Sequence, residues 1–343
     1  MTADGPLRWG ILGTGGIARD FATDLAAVPD ARLAAVGSRT QEAADAFAAR
    51  FAATAPGLRA HGSWTDLVHD PDVDAVYVAT PHPWHAAAAL LAIGAGRHVL
   101  VEKPFTMDAA QARQVVAAAR AAGVFCMEAM WTRFLPHVRR IRELIAEGAL
   151  GEVVTVSADH GQWFTADPVH RLFDPALGGG ALLDLGIYPV SWASMVLGPP
   201  SAVHAVSEPA FTGVDGQTSI LLRHPGGAQA LLTCTLSSAT PRRAWIAGTE
   251  GTIDVEPTFY APAAFTLSRR DGRVERFDSP PEIAAGPGKG LRYQAMEVGL
   301  RVRGGELESP LLPLDETVSI METLDEVRRQ IGLIYPDVPS TPR

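Results

Sequence analysis

The sequence predicts an α/β protein: an N-terminal doubly wound parallel sheet, then a second α/β domain with a large, open, mainly antiparallel sheet. Three observations predict it. Up to Met130, short β-branched runs alternate with alanine-rich helical stretches. A glycine-rich turn follows the first of those runs at once. Beyond Met130 the pattern becomes alternation of apolar and polar residues broken by turns. We therefore divide the chain into residues 1–130 and 131–343.

Leu7 to Leu12 reads as a strand and the residues up to about Ala27 as a helix. Between them stand Gly13, Thr14, Gly15, Gly16, Ile17 and Ala18, the G-x-G-x-x-A form of a dinucleotide fingerprint. Gly13 permits the tight turn, Gly15 lets backbone approach a pyrophosphate at the helix N-terminus, and Ala18 allows close helix–strand packing. The second strand, Ala31 to Val36, ends in Gly37-Ser38-Arg39. An NAD site would carry an acid there to hold the ribose hydroxyls. A hydroxyl and a guanidinium suit a 2′-phosphate instead, so Ser38 and Arg39 predict NADP rather than NAD.

A third run, Val73 to Ala79, leads into Thr80-Pro81-His82-Pro83-Trp84-His85. His82 and His85 have no third ligand at a sensible spacing, so no metal is expected. The fourth, Val99-Leu100-Val101, emerges in Glu102-Lys103-Pro104. Pro104 stops the strand and keeps Lys103 extended, at the sheet edge where ligands of open α/β folds sit. A helix from Ala109 and a last strand, Val124 to Met130, complete the first part.

The second part opens with a helix from Pro136 to Glu147. Strands are expected at Val153 to Ala158, Ala202 to Val206, Thr218 to Leu222, Ala230 to Leu236, Thr252 to Val255 and Phe265 to Arg269. Pro280 to Gly290 reads as a mobile proline–glycine loop, and helices close the chain. Gly178-Gly179-Gly180 opens a further helix in which Asp184 and Tyr188, four apart, share a face, with Gly186 leaving space beside them.

Composition narrows the function classes. The 343 residues are 47% hydrophobic and 20% charged, which is ordinary globular protein with enough apolar residues for two cores. Net charge is -9, and arginine pairs such as Arg139-Arg140 are scattered, which argues against nucleic acid as a partner. Two cysteines in no metal or redox spacing suit a reduced, cytoplasmic protein. A polar N-terminus offers no signal segment, and no apolar run is expected to reach the roughly 20 residues of a membrane span, Ala86 to Gly96 being the most apolar candidate.

Taken together, Gly13 to Ala18, Thr80-Pro81 with His85, Glu102-Lys103-Pro104 and Gly178 to Tyr188 resemble the glucose–fructose oxidoreductase / inositol dehydrogenase / MocA (Gfo/Idh/MocA) family over nearly the whole chain. Glu128 to Phe134 and Asp184 to Tyr188 most resemble its branch of dimeric dihydrodiol dehydrogenases and NADP-linked D-xylose dehydrogenases; most other branches carry histidine at the position of Tyr188. The resemblance implies a Rossmann domain, and an open sheet that serves as the face of a homodimer or higher homo-oligomer. It implies Lys103 against nicotinamide and substrate, with a bond before Pro104 that can be cis. It implies Glu102 and His85 near the nicotinamide ribose and Thr80 and Pro81 near the cofactor backbone. Trp131, Arg133 and Arg171 resemble pocket residues. Trp163 is added as an aromatic in a predicted loop, able to stack on a sugar ring.

The expected reaction is hydride exchange between the nicotinamide and a hydroxyl or carbonyl of a sugar, polyol or cyclic diol. Tyr188 is the expected acid/base: a free phenol titrates near 10, and the Lys103 ammonium with the positive nicotinamide would favour the phenolate. Asp184 is given a supporting role, orienting Lys103 or binding a substrate hydroxyl. Two other classes compete: a cofactor-binding regulator without turnover, and a glycoside-cleaving enzyme that uses the nucleotide transiently. The substrate itself is not legible.

Overall fold

A computed structural model of the chain describes residues 5–279 and 290–336. Among them the chain forms two compact units, one running to Trp131 and taking up 290–317, the other comprising 132–279 and 318–336.

The first unit is built on a six-stranded sheet. Its strands are β1 (Leu7–Leu12), β2 (Ala31–Gly37), β3 (Arg59–His61), β4 (Ala75–Val78), β5 (His98–Glu102) and β6 (Cys126–Ala129). All neighbours are parallel, in the order β3-β2-β1-β4-β5-β6. The order of strand addition reverses between β1 and β4, which makes their carboxyl ends the crevice where such sheets take ligands. β4 is buried at every residue, as apolar strands covered on both faces must be. Beneath the helix Gly16–Leu25, Phe21 meets Trp9 edge-on at 5.4 Å and stacks on Tyr77 at 3.9 Å. Burying each of these rings removes enough apolar surface to stabilise the unit by roughly 2–3 kcal/mol. At the end of that helix, Asp24 accepts the backbone N–H groups of Gly290 and Arg292, so the helix Arg292–Arg303 belongs to this unit.

The second unit holds an eight-stranded sheet of β7 (Val153–Gly161), β8 (Ala202–Pro209), β9 (Asp215–Arg223), β10 (Gln229–Thr235), β11 (Ala244–Gly248), β12 (Gly251–Val255), β13 (Phe265–Arg269) and β14 (Val274–Phe277). Their order is β14-β13-β12-β11-β7-β10-β9-β8, antiparallel except for the β7–β10 pair. The mainly antiparallel sheet is as expected, although the strands run longer than their apolar cores. The helix Ile187–Leu197 packs on the inner face over β7 and β10. Outward-facing Leu221 and Leu231 are register partners and are 40% and 48% exposed. The loop expected at Pro280 to Gly290 lies outside the described residues, apart from Gly290.

The expectation that no apolar run reaches membrane length needs correction. Pro175–Leu197, 23 residues, is long and apolar enough by composition, but 78% of its most apolar window is buried inside the fold. Sandwiched against a sheet, such a stretch is a core helix.

That segment is anchored by Asp215. Its Oδ2 accepts the Leu182 N–H at 2.7 Å and the Thr218 hydroxyl at 2.9 Å. Gly180 has φ +111°, and a Cβ there would fall 2.1 Å from Asp215 Oδ1, so only glycine fits. Burial outweighs both hydrogen bonds and lifts the Asp215 carboxyl to about 7. The fold therefore holds a proton that the unfolded chain releases near 3.8, and the stability this group contributes falls as pH rises between those values. Asp215→Asn is expected to gain stability over the wild type by up to about 4 kcal/mol on going from pH 4 to pH 8. Urea unfolding at the two pH values checks this; parallel behaviour of the two proteins would refute it.

Candidate active site

Site residues of the first unit gather at the carboxyl edge of its sheet. Gly13 leaves β1 with φ +108°, and a Cβ there would lie 2.5 Å from the Ala79 carbonyl oxygen, so the turn admits only glycine. Gly15 precedes the helix Gly16–Leu25 in extended conformation; no side chain caps the helix and no acid stands in its first turn. A Cβ added at Gly15 would meet nothing within 4 Å. Bare backbone N–H groups at an uncapped, unobstructed helix start fit a pyrophosphate. Thr14 lends its carbonyl to the Arg19 guanidinium at 3.1 Å, a cation beside the turn that the sequence reading overlooked. Ile17 is half-buried in the first helical turn. Ser38 is buried and Arg39 exposed just past β2, with no acid between β2 and the helix Gln41–Arg50. Thr80 and Pro81 follow β4 at the same edge.

His85 begins the helix His85–Gly94 and is 1% exposed. One ring nitrogen lies 2.8 Å from the Pro104 carbonyl and the other 2.8 Å from the Thr80 carbonyl. Burial, with a smaller push from the Lys103 charge, lowers its pKa to about 4. The ring is thus neutral at pH 7, and with a single N–H it donates to one of these two carbonyls while lying between both. Glu102, the last residue of β5, accepts the Tyr77 hydroxyl with one oxygen and the Lys103 N–H, at 3.1 Å, with the other. The Lys103–Pro104 peptide is cis. Lys103 itself is half-exposed, and it and Lys289 are the only lysines in the sequence. Among the described residues no three His, Cys, Asp or Glu side chains are grouped to hold a metal.

In the second unit the Asp184/Tyr188 segment is partly a wide turn. Leu182–Gly186 is π-helical and Ile187–Leu197 α-helical. Pro189 explains the wide turn: it lacks the N–H owed to the carbonyl four residues back, and its ring displaces that carbonyl. The space expected beside Gly186 is filled by Cys234, whose Sγ would lie 2.9 Å from a Cβ there.

Asp184 is 6% exposed and takes the Arg171 guanidinium at 3.1 and 3.2 Å. Two residues predicted separately are thus brought together as an ion pair. Tyr188 is 8% exposed, its ring 5.2 Å from His160 and 4.9 Å from Tyr260. His160 stacks on Tyr260 at 4.0 Å. The Gln162 amide nitrogen lies 2.9 Å from His160 Nε2 and 3.2 Å from the Tyr260 hydroxyl, so in the orientation assigned to that amide it donates to both. The sequence reading missed this trio. A signal existed: His160 continues the inward register of Val156 and Ala158 in β7, where a polar side chain stands out.

Arg133 is 1% exposed and gives its guanidinium to the Ser191 hydroxyl at 3.0 Å and carbonyl at 2.8 Å, under the helix that carries Tyr188. Two of its guanidinium nitrogens, Nε and Nη2, are thus taken by the fold. Trp131 is buried in a short 3₁₀ turn, whereas Trp163 is 67% exposed after β7.

A doubly wound sheet with a bare glycine turn, followed by an open-sheet unit bearing a buried phenol, defines a nucleotide-dependent oxidoreductase class. Family models agree: residues 7–130 match an oxidoreductase family with an NAD-binding Rossmann fold, and 138–254 match the GFO/IDH/MocA C-terminal domain. Two curated relatives align along the whole chain. Trans-1,2-dihydrobenzene-1,2-diol dehydrogenase of Mus musculus is 38% identical over 96% of this chain and 98% of its own. D-xylose 1-dehydrogenase (NADP(+)) of Hypocrea jecorina is 36% identical over 98% and 94%. Among solved structures, aldose-aldose oxidoreductase from Caulobacter crescentus complexed with glycerol superposes with a TM-score of 0.84 at 28% identity, covering 95% of this chain and 98% of that one. The chain belongs to the Gfo/Idh/MocA oxidoreductase family.

Proposed function

We propose that the protein is an NADP-dependent dehydrogenase acting on a hydroxyl or carbonyl of a sugar, polyol or cyclic diol. The observation that carries the cofactor choice is the end of β2, where Ser38 and Arg39 stand in place of a ribose-binding acid. The names of the two curated relatives support the substrate class. The dinucleotide part is residues 1–130 and the substrate part lies in 131–343, with 290–317 packed into the first unit.

When bound, the cofactor supplies hydride exchange with the substrate carbon. Gly13, Thr14, Gly15, Gly16 and Ile17 receive its pyrophosphate, and Thr80 and Pro81 flank it. Glu102 and His85 act here by holding backbone next to the nicotinamide position, given their hydrogen bonds. Lys103 donates a hydrogen bond to the reacting oxygen, and Tyr188 is the acid/base of the reaction. Asp184, with Arg171, binds a neighbouring substrate hydroxyl. Trp131 and Trp163 line the substrate side, and Arg133 secures the helix of Tyr188.

The setting is cytoplasmic, in keeping with two buried free thiols. The protein forms a homodimer through the outward face of its large sheet, where Leu221, Leu231 and Trp245 are partly exposed. Sedimentation as a monomer at micromolar concentration would refute the dimer.

The decisive assay follows nicotinamide reduction with NADP or NAD and a panel of aldoses, polyols and cyclic diols. NADP is expected to give at least tenfold higher kcat/KM than NAD, and Arg39→Ala to erase most of that difference. A preference for NAD overturns the cofactor assignment. No reduction with any substrate overturns the dehydrogenase.

A further inference from the structure

The peptide run from which Lys103 projects is gripped at three successive residues by buried, ionisable side chains. Glu102 takes the Lys103 N–H at 3.1 Å, His85 sits 2.8 Å from the Pro104 carbonyl, and Glu128 takes the Phe105 N–H at 3.1 Å. Glu102 and His85 were expected near the cofactor; Glu128 had no role. It comes from β6, the neighbouring strand, where it pairs in register with Val101. It is 1% exposed.

Glu128 is buried, so its hydrogen bond to the Phe105 N–H is sheltered from competing water. The result is rigidity. A carboxyl oxygen that accepts a backbone N–H ties that peptide to the neighbouring strand, and this donor lies two residues beyond Lys103, across a proline. With Glu102 on one side and Glu128 on the other, the run is fixed at both ends, so the stem of Lys103 starts from a fixed Cα.

We propose that Glu128 is a positioning residue for the redox reaction: through the Phe105 N–H it sets where the Lys103 ammonium stands. This rests on the dehydrogenase reading above, in which Lys103 meets the reacting oxygen. Misplacing a reacting group by about 1 Å costs on the order of a hundredfold in rate.

Two conservative variants separate the causes. Glu128→Asp keeps the charge but draws the oxygen back from the Phe105 N–H. Glu128→Gln loses the charge but keeps an accepting oxygen in reach. Each is assayed for kcat, KM and NADP affinity. The rate at which an amine-acylating reagent labels Lys103 is measured against Lys289, the one other lysine, by mass spectrometry. Glu128→Asp is expected to lower kcat about ten- to a hundredfold and to change the Lys103 labelling ratio, with NADP affinity within about twofold. Glu128→Gln is expected to lose no more than about threefold in kcat and to keep the wild-type ratio. Wild-type behaviour of Glu128→Asp in both readouts overturns the proposal. So does equal damage in the two variants, because Glu128→Gln keeps the acceptor in reach and should be spared, or a loss of NADP affinity that matches the loss of kcat. If the wild type turned over no substrate, the dehydrogenase reading would fail by itself. The labelling ratio would then decide the role of Glu128: a shift in the Asp variant alone supports it, and unchanged ratios overturn it.

Discussion

Tyr188→Phe is expected to lower kcat by about 10²–10⁴-fold while NADP binds as before. The substitution removes one oxygen and keeps the ring. The packing against His160 at 5.2 Å and Tyr260 at 4.9 Å therefore survives, and the helix Ile187–Leu197 retains its seat on β7 and β10. What is lost is the proton-transfer group, and general acid–base catalysis contributes about that factor, some 3–5 kcal/mol of barrier. KM for the substrate should move little, because the phenol is asked to act in the transition state. Steady-state kinetics with NADP titration checks the split. A kcat within threefold of wild type would remove Tyr188 from the role. A fall in NADP affinity equal to the fall in kcat would recast it as a binding residue.

Lys103→Ala is expected to cost about 10²–10³-fold in kcat, the range for losing one donor to a developing oxyanion. The backbone there is independent of the side chain: the Glu102 contact uses the Lys103 N–H, and His85 and Glu128 use Pro104 and Phe105. The Ala variant should therefore unfold at nearly the wild-type temperature, which separates chemistry from folding. Lys103→Arg should rescue little. A guanidinium is a planar fork and lysine a compact point charge that can approach one oxygen from several directions. Near-normal kcat in Lys103→Ala would mean that the amine does not meet the reacting oxygen, and in Lys103→Arg that any cationic donor serves there.

Much of the first sheet is legible because its signals are local. An apolar run, a glycine turn and a helix lie within about twenty residues of each other, and the turn chemistry at Gly13 and Pro104 depends on the residues themselves. Strands that escaped notice lack that local signature. Arg59–His61 and Val274–Phe277 are short edge strands with little buried surface, defined by the neighbour they pair with. Ala244–Gly248 is central, but its five residues include two alanines and a glycine, poor strand formers in isolation. The membrane-length stretch Pro175–Leu197 was underestimated for a related reason: glycine, proline and aspartate interrupt a segment whose most apolar window the fold buries to 78%.

The sequence by itself determined the doubly wound sheet, the bare pyrophosphate turn, the missing ribose acid after β2 and the chain position of Lys103 and Tyr188, because each follows from residues adjacent along the chain. Only the tertiary structure decided what those residues lean on. Arg171 reaches Asp184 across 13 positions, His85 reaches Pro104 across 19, Glu128 reaches Phe105 across 23, and Tyr260 joins Gln162 across 98. Such pairs are set by strand order and register, which arise when distant apolar faces bury each other, and the spacing of letters along one chain does not encode them.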